Sequence, residues 1–276
     1  MPSARWRPTP LIAASIALHV VAVIAMIAAP GHWRWALGAV LANHALLTLV
    51  GLWPRSHWLG VNCTRLPEAA IAKKQWALTI DDGPDPLVTP QVLDILHRHG
   101  AKATFFCIGD KAARHPALCR DIVQRGHAIE NHTQHHRHTF ALLGLAALTR
   151  EIHAAQTTLA AITGRTPVLF RAPAGIRSPL LDPVLSKLGL RLVAWTRRGF
   201  DTRTADAATV SRRLLRDLDP GAILLLHDGN SARSPHGVPV ILEVLPAVLE
   251  AAAAAGLRAV TLAEALPLPN TGVHEP

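Results

Sequence analysis

The chain opens with two long apolar runs, residues 11–29 and 35–53, that no Asp, Glu, Lys or Arg interrupts. At 1.5 Å rise per residue, about 20 apolar residues cross a hydrocarbon core of about 30 Å, so both runs predict membrane-spanning helices. A soluble helix of that length would carry a charged face. The polar exceptions His19, Asn43, His44 and Thr48 suit such spans if the two helices pack and bond to each other. After a juxtamembrane stretch at 56–73, rich in Pro and basic residues, the pattern changes to short apolar runs at 75–80, 103–108, 127–131, 168–172, 191–195, 222–227 and 257–262. These predict about seven strands. Longer periodic segments between them predict helices: one over 89–100 with Thr89 as cap and Pro90 in the first turn, one over 142–162, and a late one ending at Gly256.

Strands alternating with helices form a parallel sheet, here most simply closed into a distorted (β/α) barrel of about seven strands behind two transmembrane helices. An open doubly wound sheet is the alternative. It would place a Gly-rich phosphate loop after the first strand, where this chain instead carries Asp81, Asp82, Gly83, Pro84, Asp85 and Pro86. The organisation read from the pattern is a membrane region at 1–55, a linker at 56–73, a globular α/β domain at 74–265 and a tail at 266–276.

Composition narrows the classes. Half of the residues are hydrophobic and the mean hydropathy is +0.24, which excludes a disordered chain. A net charge of +9 and a pI near 10.6 admit nucleic acid, an anionic membrane surface or an acidic substrate as partners. No zinc finger, RNA-binding signature or block of five Lys/Arg supports nucleic acid, and no protein partner is inferable. The three cysteines form no CxxC and demand no oxidising compartment. Five of the seven tryptophans, Trp6, Trp33, Trp35, Trp53 and Trp58, flank the apolar runs as a membrane-interface belt would. Arg5 and Arg7 precede the first run, Arg34 alone lies in the hairpin, and Arg55, Arg65, Lys73 and Lys74 follow the second. By the positive-inside rule both ends of an inner-membrane protein, and its globular domain, face the cytoplasm. A cleaved signal peptide is the alternative for the first run, with small residues at 25–29 but Pro30 awkwardly placed for cleavage.

The chemistry gathers at one rim. In parallel barrels the site is built just past the carboxyl ends of the strands. Asp81 and Asp82 follow the first strand, His132 and His136 the third, Arg171 ends the fourth, Asp201 follows the fifth and His227 ends the sixth. Two histidines four apart on a helical turn can point at one metal, and two imidazoles with a carboxylate suit a zinc-type centre with open positions. A second carboxylate beside them can act as base, and His227 can donate a proton to a leaving group. His135 and His138 read as spare, solvated histidines.

The segments LTIDDGPDP, NHTQHH, FRAPAG, AWTRRGFDT and ILLLHDG, in that order over roughly 74–265, resemble the polysaccharide deacetylases with a NodB-homology domain, carbohydrate esterase family four. The resemblance implies a metal-dependent N-deacetylase that hydrolyses the acetamide of an N-acetylated sugar. It makes Asp82, His132 and His136 the ligands of a divalent metal, Zn2+ by expectation, and Asp81 the catalytic base. Arg171 would orient and charge-pair with Asp81, His227 would be the general acid, and Asp201 would tune it. The backbone at Ala174 would contact the oxyanion, and Leu225 and Trp195 would line the acetyl pocket.

Departures from the family pattern touch pocket shape. Ile80 stands where Phe is common, Arg137 where Pro is frequent, Ala174 where Tyr is usual, and Thr202 where a Trp often closes the acetyl groove. With no Tyr, and Trp76 and Trp195 as the domain's only tryptophans, flat stacking surfaces for a long glycan are scarce. A small or lipid-linked N-acetylated sugar is favoured. The same site on an O-acetyl ester or a non-sugar amide, and a catalytically silent membrane subunit, are the alternatives. Members of this family are expected to act outside the cytoplasm, which conflicts with the inward orientation of the charge count.

Overall fold

The computed structural model describes residues 6–216 and 218–267. Arg5, counted above toward topology, and nearly all of the 266–276 tail lie outside the described residues. Two helices, α1 (Pro10–Ala28) and α2 (Trp33–Gly51), form an antiparallel hairpin at the amino end. Asn43 Nδ2 donates to Ser15 Oγ at 2.8 Å and His19 Nε2 meets His44 Nε2 at 3.1 Å, so the polar residues within the apolar runs pair across the hairpin. Side chains such as Ile24, Ile27, Leu41 and Leu49 stay exposed along both helices.

The expectation of two spanning helices needs correction. Among the described residues α1 is the one helix both long and apolar enough to cross a membrane. The second helix begins two residues before the expected 35–53, which takes Arg34 into its first turn. With Asn43 and His44 near its middle, its apolar character is diluted.

Among the described residues eight parallel strands follow: β1 (Gln75–Asp81), β2 (Ala103–Cys107), β3 (Ala128–Asn131), β4 (Leu169–Phe170), β5 (Arg191–Leu192), β6 (Arg197–Arg198), β7 (Ile223–His227) and β8 (Arg258–Val260). Their order is β5-β4-β3-β2-β1-β7-β6, with β8 beside β1. The sheet curls into a half-barrel. At its open seam, Cys63 N–H donates to Leu192 O at 2.9 Å and Ala194 N–H to Cys63 O at 2.8 Å. The segment expected to be a linker is thus packed into the fold, with Leu66 and Ala70 in the interior.

Alternation along the central strands sorts side chains between two layers. Trp76, Leu78 and Ile80 of β1 and Leu224 and Leu226 of β7 pack outward under the helices Thr89–Arg98, Ala207–Leu215 and Val240–Ala254. Ala77, Ile223, Leu225 and Phe106 pack inward. The same period carries Asp81 and His227 to the inner side, and the register pairs Asp81 with His227, and Thr79 with Leu225, across β1 and β7. Asn131 sits level with Cys107 and Phe170. The carboxyl ends of the strands therefore form one rim, as the sequence predicts.

Three local readings differ. β6 is an eighth strand that two arginines hid from the apolar pattern. Thr89 is the first residue of its helix, and its hydroxyl accepts from Asp85 N–H at 2.8 Å and bonds Asp228 Oδ2 at 2.5 Å, so it does not cap. His132 and His136 lie on a loop after β3, not on a helical turn.

Candidate active site

Asp81 ends β1 with a side chain fixed by Arg171, which follows β4. Arg171 Nη1 donates to Asp81 Oδ1 at 2.7 Å and to Thr79 Oγ1 at 2.8 Å, while Nε and Nη2 donate to the carbonyls of Val193 and Ala194. The guanidinium lies 4.1 Å from the Phe106 ring centre and is 1% exposed. A buried cation is tolerated because each contact is a charge-assisted or cation–π interaction. One oxygen of Asp81 is thereby occupied, and Oδ2 is left 3.8 Å from His132 Nε2.

Asp82, His132 and His136 present three ligand atoms within 4.8 Å of one another. Asp82 Oδ1 lies 3.2 Å from His132 Nε2 and 3.1 Å from His136 Nε2, yet it is buried with no hydrogen-bond donor. The tautomer explains why. His132 Nδ1 lies 2.8 Å from the Arg171 carbonyl, an acceptor only, so the ring proton sits on Nδ1 and the Nε2 lone pair faces the carboxylate. Lone pairs converging from a carboxylate and imidazoles in a buried corner fit a divalent cation, and the Arg171 carbonyl is the outer partner a ligating histidine needs. Burial opposes ionisation of Asp82, but the imidazoles of His132 and His136 set against it, whenever they carry a proton, and the charge of His227 hold its carboxyl far below the usual range. Burial also disfavours a charge on His132, and Asp81 and Asp82 outweigh it. Such a pull on positive charge is one that a metal satisfies in place of the proton.

Backbone strain concentrates here. Among the described residues, non-glycine residues with positive φ include Asp82 (72°), Thr133 (69°), His136 (52°), Ala174 (54°) and Phe200 (59°). Such conformations cost about 1–3 kcal/mol each and persist where the surroundings impose them. Around the histidine loop, Asn131 Oδ1 accepts from Thr133 N–H and Thr133 Oγ1 accepts from His136 N–H. A Cβ on Gly229 would collide with the Asp82 carbonyl, so glycine is needed directly after Asp228.

His227 ends β7 beside Asp81. Its backbone N–H and Nδ1 both reach the fully buried Asp201, which leaves Nε2 as its unengaged ring nitrogen. Burial lowers the imidazole pKa, and the Asp201 charge and hydrogen bond reverse the sign and raise it. Ala174, Trp195, Leu225, Arg198 and Asn230 line a cleft of about 220 Å³ over these groups. All ten residues singled out in the sequence therefore meet at one cleft, with Arg171 and Asp201 directly behind it.

Other contributors were not foreseen. Asn230 Nδ2 donates to Asp82 Oδ2 at 2.8 Å and Lys111 Nζ to the Asp82 carbonyl at 2.8 Å. Asn230 directly follows the ILLLHDG segment, which is the one signal that pointed to it. His135 and His138 are not idle. The first pairs with Glu151 at 2.7 Å, and the second lines the cleft 6.5 Å from the His136 ring.

A curled parallel sheet with an Asp/His cluster and a carboxylate–imidazole pair on its rim is an arrangement suited to hydrolysis. Comparison with protein families matches residues 69–193 to Polysaccharide deacetylase. A chitooligosaccharide deacetylase of Azorhizobium caulinodans is 41% identical over 153 residues, 55% of this chain and 72% of that protein. A peptidoglycan-N-acetylglucosamine deacetylase of Bacillus cereus is 32% identical over 192 residues, 69% of this chain and 87% of that protein. The crystal structure of a peptidoglycan N-acetylglucosamine deacetylase superposes with a TM-score of 0.68 at 26% identity, covering 75% of this chain and 94% of that one. This chain belongs to the polysaccharide deacetylase family, hydrolases of the acetamide C–N bond.

Proposed function

We propose that the chain is a membrane-anchored, divalent-metal-dependent N-deacetylase that converts the acetamide of an N-acetylated glycan to acetate and a free amine. The observation that carries the reading is the Asp82 oxygen facing two imidazole nitrogens without a donor, with Asp81 and His227 paired on adjacent strands beside it. Asp82, His132 and His136 would hold the cation, which we take to be Zn2+ from the nitrogen-rich donor set. Bound there, it would supply Lewis-acid polarisation of the acetamide carbonyl and acidify the attacking water.

The residues of the chain divide the remaining work. Asp81, held by Arg171, takes a proton from the water as its oxygen bonds to the carbonyl carbon. His227, held by Asp201, gives a proton to the nitrogen as the C–N bond breaks. The N–H at the strained turn of Ala174 would donate to the developing oxyanion, and Leu225 and Trp195 would enclose the acetyl methyl. The exposed apolar faces of α1 and α2 support anchoring in the bilayer, and with the packed hairpin inserted as a unit both of its ends share one side, which the Lys/Arg distribution makes the cytoplasmic one.

Incubation with N-acetylated chitooligosaccharides should release acetate and amine in equal amounts, and Asp81→Asn should lower the rate by about 100-fold or more while retaining metal. Full activity in that variant removes Asp81 from the mechanism. A periplasm-active phosphatase or a cytoplasm-active fluorescent protein fused after Pro276 tests orientation. Fluorescence without phosphatase activity is expected.

A further inference from the structure

A second groove, of about 410 Å³, adjoins the catalytic cleft, and Trp195 and Arg198 line both. Arg55, Arg198, Arg213 and Arg216 surround it over a floor of Trp195 and Phe200, and Arg197 also borders it. Among the described residues no carboxylate lines this groove, and none pairs with Arg55, Arg198, Arg213 or Arg216. Elsewhere Arg65, Arg125 and Arg258 each meet an acid. Three of the groove arginines are held by neutral groups instead. Arg55 Nη1 donates to the Thr196 carbonyl at 3.0 Å, and Arg213 Nη1 to the Gly199 carbonyl and to Thr204 Oγ1. Arg198 lies 5.2 Å from the Trp195 ring centre and 4.6 Å from that of Phe200, with its Nε buried and unpartnered. Such contacts fix direction without cancelling charge; Asp201, Asp81 and Asp82 counter Arg198 in part from the catalytic side, and Arg55, Arg213 and Arg216 bring further positive charge to the same opening without an acidic partner among the described residues.

We propose that the groove binds a phosphoryl group carried by the acetylated sugar itself, so that the substrate is a glycosyl phosphate or diphosphate; this rests on the deacetylase reading of the adjoining cleft. Guanidinium forks match phosphate oxygens in pairs, and a phosphate monoester or diphosphate brings about two negative charges, more than a carboxylate can offer to four arginines. Arg198 and Trp195 make the connection: an acetamide seated over Asp81 leaves the rest of the same molecule to continue past them into the groove. Pro54 also borders the groove three residues after α2 ends, which sets the anion site at the foot of the apolar hairpin. A phosphoryl sugar on a lipid tail and a soluble one present the same head to these arginines.

The test uses the full chain in detergent with Asp81→Asn, so that binding is read without turnover. N-acetylglucosamine 1-phosphate and UDP-N-acetylglucosamine should bind at least about tenfold more tightly than N-acetylglucosamine, and inorganic diphosphate should compete. Arg213→Gln/Arg216→Gln, at exposed positions, should lower that preference about tenfold. Equal binding of the neutral and phosphorylated sugars, or a preference that survives the double substitution, overturns the proposal. Weaker attachment to phosphatidylglycerol vesicles with the sugar preference intact would make the groove a headgroup site and also overturn it. Acetate release by the unsubstituted chain reads the deacetylase reaction separately, so failure of the one reading is distinguishable from failure of the other. A lipid-linked diphosphate sugar turned over faster than UDP-N-acetylglucosamine would identify the tethered source, and the reverse order the soluble one.

Discussion

Asp201 grips His227 at two points, accepting the backbone N–H at 2.7 Å through Oδ2 and the Nδ1 proton at 2.9 Å through Oδ1. One carboxylate so fixes the position of the histidine and its tautomer, and presents Nε2 as the nitrogen that can carry a mobile proton.

The grip predicts a pH effect of definite sign. Burial lowers the His227 pKa, and the Asp201 charge and hydrogen bond, with Asp81 and Asp82 behind them, raise it overall. A general acid works while protonated, so activity falls as pH rises through this pKa. Asp201→Asn removes the main raising influence and should move the alkaline limb of kcat/KM to lower pH by about one unit or more. A limb that stays in place would exclude His227 as the donor read in that profile.

Metal affinity should separate ligands from their supports. Asp82→Ala and His136→Ala each delete a converging lone pair, and the purified variants should lose bound metal on dialysis against a chelator. Asn230→Ala keeps all three ligands and removes only the 2.8 Å bond to Asp82 Oδ2. It should weaken metal binding about 10- to 100-fold, as loss of an outer partner does. Metal titration followed by elemental analysis measures both, and undiminished affinity in Asn230→Ala would make that contact incidental.

Arg171 should matter to folding as well as to reaction. Arg171→Met strands Asp81 as a buried charge and leaves the carbonyls of Val193 and Ala194 without donors. Loss of one partner of a buried pair destabilises by about 3–5 kcal/mol. Adding Asp81→Asn should restore part of that loss, since the uncompensated charge goes with it. Denaturant midpoints of the single and double variants test the coupling. Strict additivity would show that the ion pair contributes nothing.

The rim was legible because Asp81, Asp82, His132, Arg171 and His227 end, or directly follow, an apolar run, with His136 and Asp201 a few residues beyond theirs, and alternation along β1 and β7 then sends Asp81 and His227 to the same side. β6 was not legible: Arg197 and Arg198 pair with Leu224 and Leu225 through backbone alone, which leaves no apolar signature. Asn230, Lys111 and Glu151 were missed for another reason. Their partners are set by loops that meet only in the folded chain, as when Asn230 reaches an aspartate 148 residues earlier. The second apolar run was mis-bounded because helix geometry admits Arg34 in a first turn, where a charge can reach the interface.

Glu130 offers a test of the fold apart from the cleft. Its Oε2 accepts the N–H groups of Val168 and Leu169 at 2.9 and 2.7 Å, joining β3 to the start of β4. Burial pushes its pKa up to about 8, and the two N–H donors offset this only in part. The unfolded group titrates near 4.5, so between that value and about 8 the native state keeps a proton that the unfolded state releases. This group's contribution to stability therefore falls as pH rises through that window. Glu130→Gln keeps an oxygen for both N–H groups and cannot ionise. Between about pH 5 and about pH 8 the melting temperature of the unsubstituted protein should decline relative to the variant, whose own profile should be flatter. Parallel profiles would mean that Glu130 is ionised in the native state, and that the β3–β4 junction is held by a charged carboxylate.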